Sequence, residues 1–143
     1  MKNNPFFKEY NQPFNAIPFN EFKMEHFLPA IHEAIKISNS KIDSICNSNE
    51  EASFENTILE LETSHEDLQR IVGIYWHLFG AHSEGDFKSL AQEISPIVSS
   101  HTNDYMLNPN LFQRIQTVYD NRLNMNYDEH DLKLTEDTYQ AFI

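Results

Sequence analysis

Seven histidines in a chain with 22 acidic residues invite a search for metal chemistry. The zincin motif H-E-x-x-H sets two ligands one helical turn apart with a general base between them. His32-Glu33 begins such a run, but position 36 is Lys36, a cation that cannot replace the second ligand. His65-Glu66 leads only to Gln69. Di-iron helical proteins use E-x-x-H on two helices plus two further carboxylates. Glu62-Thr63-Ser64-His65 is the single such run, and it falls at the expected junction of two helices, where it should not face a core.

The remaining candidates are weaker. His26, His77, His82 and His101 lie in or beside apolar helical stripes and read as packed, hydrogen-bonded side chains. Cys46 lies at a helix end with no His near it in sequence, so a buried or idle thiol is expected rather than a nucleophile. The chain has three glycines and no G-x-S-x-G, P-loop or dinucleotide fingerprint. Glu50-Glu51, Glu60 with Glu62, and Asp128-Glu129 read as solvated faces. No catalytic, cofactor-binding or metal-binding residue is therefore assigned in this chain, and no cofactor is expected in it.

Length and composition bound what must position these groups. At 143 residues one domain and one sizeable core are expected. Eleven Phe, six Tyr and one Trp argue against disorder. Three Gly and six Pro are too few turn-formers for an all-β sandwich. A net charge of −12 disfavours nucleic acid and anionic membrane surfaces as partners. A single cysteine excludes an internal disulfide and a zinc ribbon or finger. The stretch from Met1 to Tyr10 has no apolar leader, which favours the cytoplasm and leaves the periplasm open as the alternative.

Residues 1–20 read as an extended arm. Pro5, Pro13 and Pro18 stand among Phe6, Phe7, Phe14 and Phe19, and the arm should lie on a hydrophobic surface. Residues 21–143 read as an all-α array of about six antiparallel helices. Phe27, Ile31, Ala34, Ile35, Ser38, Ile42 and Ile45 mark the first, with Pro29 near its start. Ser53 caps a second through Phe54, Ile58 and Leu61. A third runs from Leu68 to His82 and, with Ile74 and Trp76 opposite its main stripe, should be buried on two faces. Ser83-Glu84-Gly85 ends it. A fourth spans Phe87 to His101 and should kink at Pro96. Asn108-Pro109 starts a fifth and Asp128 a sixth. The sixth runs to Phe142-Ile143 with no Gly stop and no polar tail, as in a chain cut from a longer one.

Five segments in order carry a family signal. They are Asn4-Pro5-Phe6-Phe7, Glu25-His26-Phe27-Leu28-Pro29-Ala30-Ile31, Ser53-Phe54-Glu55-Asn56-Thr57-Ile58 with Leu61-Glu62, Ser95-Pro96, and the run from Met106-Leu107-Asn108-Pro109 to Arg114-Ile115. This ordered set resembles the N-terminal region of the thimet oligopeptidase family of zinc metallopeptidases. It looks most like the bacterial peptidyl-dipeptidase branch, with oligopeptidase A as the near relative.

The resemblance implies a helical wall or lid beside a deep channel. It implies a zinc site, with the motif Glu as general base, far downstream of this region. Because this chain has no H-E-x-x-H, no zinc ligand or catalytic residue of the family can be carried onto it. The implied partners are a missing C-terminal catalytic domain and short peptides, with zinc bound only in the parent enzyme. Apolar surface left uncovered would favour a dimer of the fragment. The competing expectation is a stand-alone acidic helical module that binds a basic partner. A carboxylate-histidine metal protein is a third.

Overall fold

A computed structural model describes residues 4–7, 23–81 and 85–143. It is all-α, with no strand among the described residues. After a 3-10 turn at Pro5–Phe7 come α1 (Met24–Cys46), a π-helical stretch (Phe54–Leu59) that runs into α2 (Glu60–Ser64), and α3 (Glu66–Ala81). Then follow α4 (Asp86–Met106), α5 (Pro109–Asn121), a 3-10 turn (Arg122–Asn124) and α6 (Glu129–Phe142). No described helix is long and apolar enough to cross a membrane.

The start signals act as the sequence suggests. Ser53 Oγ accepts the Asn56 N–H at 3.1 Å, and Asn56 Oδ1 accepts the Ser53 N–H at 2.8 Å, which closes a capping box. Asn108 Oδ1 accepts from the N–H groups of Asn110 and Leu111, with Pro109 at the first helical position of α5. Asp128 Oδ1 accepts the Asp131 N–H at 2.8 Å and starts α6. Gly85 precedes α4 with φ of 65°, a left-handed conformation that costs glycine little. His82, Ser83 and Glu84 lie outside the described residues.

The length suggests one core, but the chain divides into two compact units. They are Met1–Lys36 with Glu66–Ser99, and Ile37–His65 with Ser100–Ile143. Each has its own apolar cluster, and α1 and α4 each give their first part to the first unit and their second part to the second.

In the first unit Phe6, Phe27, Ile31, Ile71 and Tyr75 are fully buried. Phe6 packs on Phe27 at 5.0 Å between ring centroids, and Phe27 meets the Tyr75 ring edge-on at 5.4 Å. Burying each of these side chains stabilises by roughly 1.5–3 kcal/mol. The extended form expected for the arm does not hold at its described start. There the chain turns, because Asn4 Oδ1 accepts the Phe6 N–H at 3.0 Å and Pro5 carries a φ suited to a turn. Asn4 Nδ2 donates to the His26 carbonyl at 3.0 Å, and Arg70 donates to the Phe6 carbonyl at 2.6 Å. Pro5 and Phe6 are buried, while residues 8–22 lie outside the described residues. The second face expected of α3 closes only in part, since Ile74 is buried but Trp76 is 44% exposed.

In the second unit Leu111, Ile115 and Val118 of α5 pack with Ile42, Ile45, Phe54, Ile58 and Leu61. Tyr119 and Tyr139 stack at 3.9 Å across α5 and α6, and Arg122 caps the Tyr119 ring at 3.7 Å. That guanidinium also donates to Glu136 at 3.1 Å.

Candidate functional site

The histidines that opened the metal search are scattered by the fold. His32 and His77 are exposed on α1 and α3. His26 sits at the start of α1, where its Nδ1 accepts the Lys23 N–H at 3.0 Å. The one grouping of three ligand-type side chains among the described residues is Asp128, His130 and Asp131. Asp128 and His130 are exposed, and Asp128 already caps α6. Two carboxylates and a single His at an exposed helix start do not fit the site of a zinc peptidase, which holds its metal on His nitrogens and a carboxylate around an open position.

His65 departs from expectation. The sequence predicts a junction that faces no core, yet the half-buried ring lies against Ser38, His101 and Tyr105 in the second unit. Ser64 is buried, and His65 forms the C-cap of α2 with φ of −100° and ψ of −4°. The clue was in the chain: Leu61, Ser64, His65 and Leu68 continue one helical stripe across the α2–α3 junction. Glu62 is exposed, so the Glu62-x-x-His65 run does not converge on one point.

His65 Nδ1 lies 3.2 Å from Ser38 Oγ, and His101 Nε2 lies 3.2 Å from the same oxygen. Ser38, read in sequence only as a small member of an apolar stripe, is the hub. The expectation of a packed, hydrogen-bonded His101 holds. The Tyr105 ring packs on both imidazoles, with centroids 4.6 Å from His65 and 5.3 Å from His101. Burial first, and then the neighbouring His101, push the His65 pKa down from 6.5 to about 4. Burial also lowers that of His101, against the opposing pull of Asp104.

A serine between two imidazoles has the composition of an acyl-transfer site. The surroundings remove that chemistry. Ser38 and His101 are buried, at 0% and 4% exposure, so no substrate carbonyl reaches the hydroxyl. Ser38 also lies within α1, whose interior N–H groups are bonded along the helix and cannot form an oxyanion hole. Cys46 is no better placed: burial first, then Asp43, pushes its thiol above the ordinary value.

Polar groups elsewhere in the second unit hold backbone. Arg114 donates from one terminal nitrogen to the Ser48 carbonyl at 3.4 Å and the Glu50 carbonyl at 3.0 Å. Its other terminal nitrogen reaches Asn56 Oδ1 at 3.1 Å. The same Asn56 donates to the Glu51 carbonyl at 2.9 Å. The segment between α1 and the π-helical stretch is thus tied from both sides.

No protein-family profile matches the chain. Two curated proteins match it along its length. The dipeptidyl carboxypeptidase of Escherichia coli is 29% identical over 140 residues, 98% of this chain. That of Salmonella typhimurium is 29% identical over 143 residues, 100% of it. The chain is similar to these two dipeptidyl carboxypeptidases. It spans only 21% of the length of either one.

Four of the segments that carry this similarity hold structure in the described residues. Asn4 and Phe6 anchor the 3-10 turn, and Phe27, Ala30 and Ile31 fill the first core. Ser53 and Asn56 close the capping box over buried Phe54, Thr57 and Ile58. Asn108 caps α5, Leu111 and Ile115 are fully buried, and Arg114 ties the preceding segment. These residue types sit where a fold needs them.

Proposed function

We propose that this chain is a non-catalytic helical domain of a larger zinc-dependent peptidyl-dipeptidase, contributing wall or lid to the channel that admits short peptides. One observation carries the reading: similarity runs along the whole chain, yet that chain spans 21% of each dipeptidyl carboxypeptidase it matches. Two further observations support it. The sequence has no H-E-x-x-H, and in the serine-histidine cluster among the described residues the Ser38 hydroxyl is buried away from substrate.

On this reading zinc belongs to the rest of the enzyme. The partner of this domain is the catalytic part, and large exposed apolar side chains in the second unit are available to meet it. Leu107 is 81% and Leu123 75% exposed. A reducing compartment such as the cytoplasm suits the single free thiol.

The test is hydrolysis of an N-blocked tetrapeptide by the purified 143-residue chain with and without added zinc. No release of dipeptide is expected in either case. Metal-dependent release of C-terminal dipeptides by this chain alone would overturn the reading.

A further inference from the structure

Ser38, His65 and His101 join three segments of the second unit: the second part of α1, the C-cap of α2 and the second part of α4. Their proton inventory is tight. A serine hydroxyl donates one hydrogen bond and accepts two. With both imidazoles neutral, Ser38 donates to one ring, and the other ring donates its N–H to Ser38 Oγ. Either tautomeric arrangement satisfies both contacts at 3.2 Å. On the far sides of the rings, His65 Nε2 and His101 Nδ1 are buried without a hydrogen-bond partner.

Protonation upsets this balance. One added proton leaves the contacts to Ser38 intact, but it places a charge among buried groups and turns a far-side nitrogen into a donor with no acceptor. A second proton makes both near-side nitrogens donors. Ser38 Oγ then accepts twice, and its own hydrogen has nowhere to go. It also sets two cations on rings whose centroids are 5.9 Å apart.

We propose that Ser38, His65 and His101 form a proton-sensitive latch in the second unit, closed while both rings are neutral and opened by acid. Opening would release the second part of α1 from the C-cap of α2 and from the second part of α4.

The surroundings of the latch are consistent with this. On α4, Asp104 favours the charged form of His101 and moderates the response, while burial pushes the pKa of Tyr105 up and keeps its hydroxyl neutral. On α2, Glu60 and Glu62 are exposed. On α1, Lys41 lines a separate cleft of about 390 Å3 with Ser44 and Glu55. From α6, Phe142 packs on Tyr105 at 6.3 Å. The depressed pKa values of both imidazoles add support. The latch is independent of the peptidase reading.

The test is amide hydrogen exchange of the whole chain at about pH 6.5 and about pH 4.5, corrected for intrinsic chemistry, beside a His65→Gln/His101→Gln double variant. In the unsubstituted chain, amides around Ile42, Leu61 and Tyr105 should exchange roughly ten- to a hundredfold faster at the lower pH. Those around Ile71 and Ile74 in the first unit should accelerate less, and the double variant should lose the difference. Equal acceleration in both units, or in both proteins, would overturn the latch.

Should the double variant not fold, NMR titration of the imidazole carbons in the unsubstituted chain decides. Both rings should titrate below the ordinary histidine range, His65 at about 4, and Ser38 resonances should follow the same curve. Titration of either ring at or above its ordinary value would overturn the proposal.

Discussion

His65 and His101 stand nearly perpendicular, 72° between ring planes, and divide one serine hydroxyl between them. Neither residue would be satisfied by the other alone. Both rings depend on Ser38, a fully buried side chain in the interior of α1.

Replacing Ser38 by Ala removes the hub and leaves a near-side nitrogen on each ring without its bond. Orphaning buried polar groups costs about 1–3 kcal/mol apiece before relaxation. The expected result is a loss of about 2–4 kcal/mol in urea unfolding at neutral pH, with an unchanged m-value. A loss below about 0.5 kcal/mol would mean that the cluster contributes nothing net.

Acid should weaken the fold in a defined window. A histidine whose folded pKa is depressed binds fewer protons in the native than in the unfolded state. Its contribution is therefore intact above the unfolded value of 6.5 and is lost as pH falls toward about 4, the folded value of His65. The shift corresponds to at most ~3 kcal/mol, and partial solvation of His65 brings that to about 1–2 kcal/mol. Chemical unfolding at a series of pH values, with the His65→Gln variant as reference, measures it. A curve flat between the two values would refute the assignment.

Arg114 should tolerate neither Met nor Lys. It makes three donor contacts, to the carbonyls of Ser48 and Glu50 and to Asn56 Oδ1. A lysine has one nitrogen and cannot span them. Arg114→Lys should lose about 1–3 kcal/mol and expose the segment between Cys46 and Ser53 to limited proteolysis. Unchanged protease resistance there would show that the clamp is dispensable.

Cys46 should react slowly. Its thiol is half-buried, and burial with Asp43 holds its pKa above the ordinary value. Alkylation at neutral pH should be at least about tenfold slower than for an unfolded peptide containing the same residues, and should reach the peptide rate in urea. Equal rates in the native chain would contradict its placement.

Much of the fold was legible in the sequence because helices announce themselves locally. Ser53, Asn108 and Asp128 each cap the helix they were expected to start, since a cap needs only the next three residues. The apolar stripe of α1 is buried at Phe27, Ile31, Ala34, Ser38, Ile42 and Ile45. What one strand of sequence could not show is where such a stripe is divided. Phe27 and Ile31 belong to one core and Ile42 and Ile45 to another, because the elements packed on them come from distant parts of the chain.

The site shows the same boundary more sharply. The sequence by itself determined the all-α class, the helix starts, the absence of an H-E-x-x-H and the similarity to dipeptidyl carboxypeptidases. Those follow from local periodicity, residue type and ordered motifs. Only the tertiary structure brought Ser38 to His65, 27 residues away, and to His101, 63 residues away. Hydrogen bonds between side chains on different helices leave no periodic trace in the chain. The low pKa of the His65 ring depends on what surrounds it once the helices have packed.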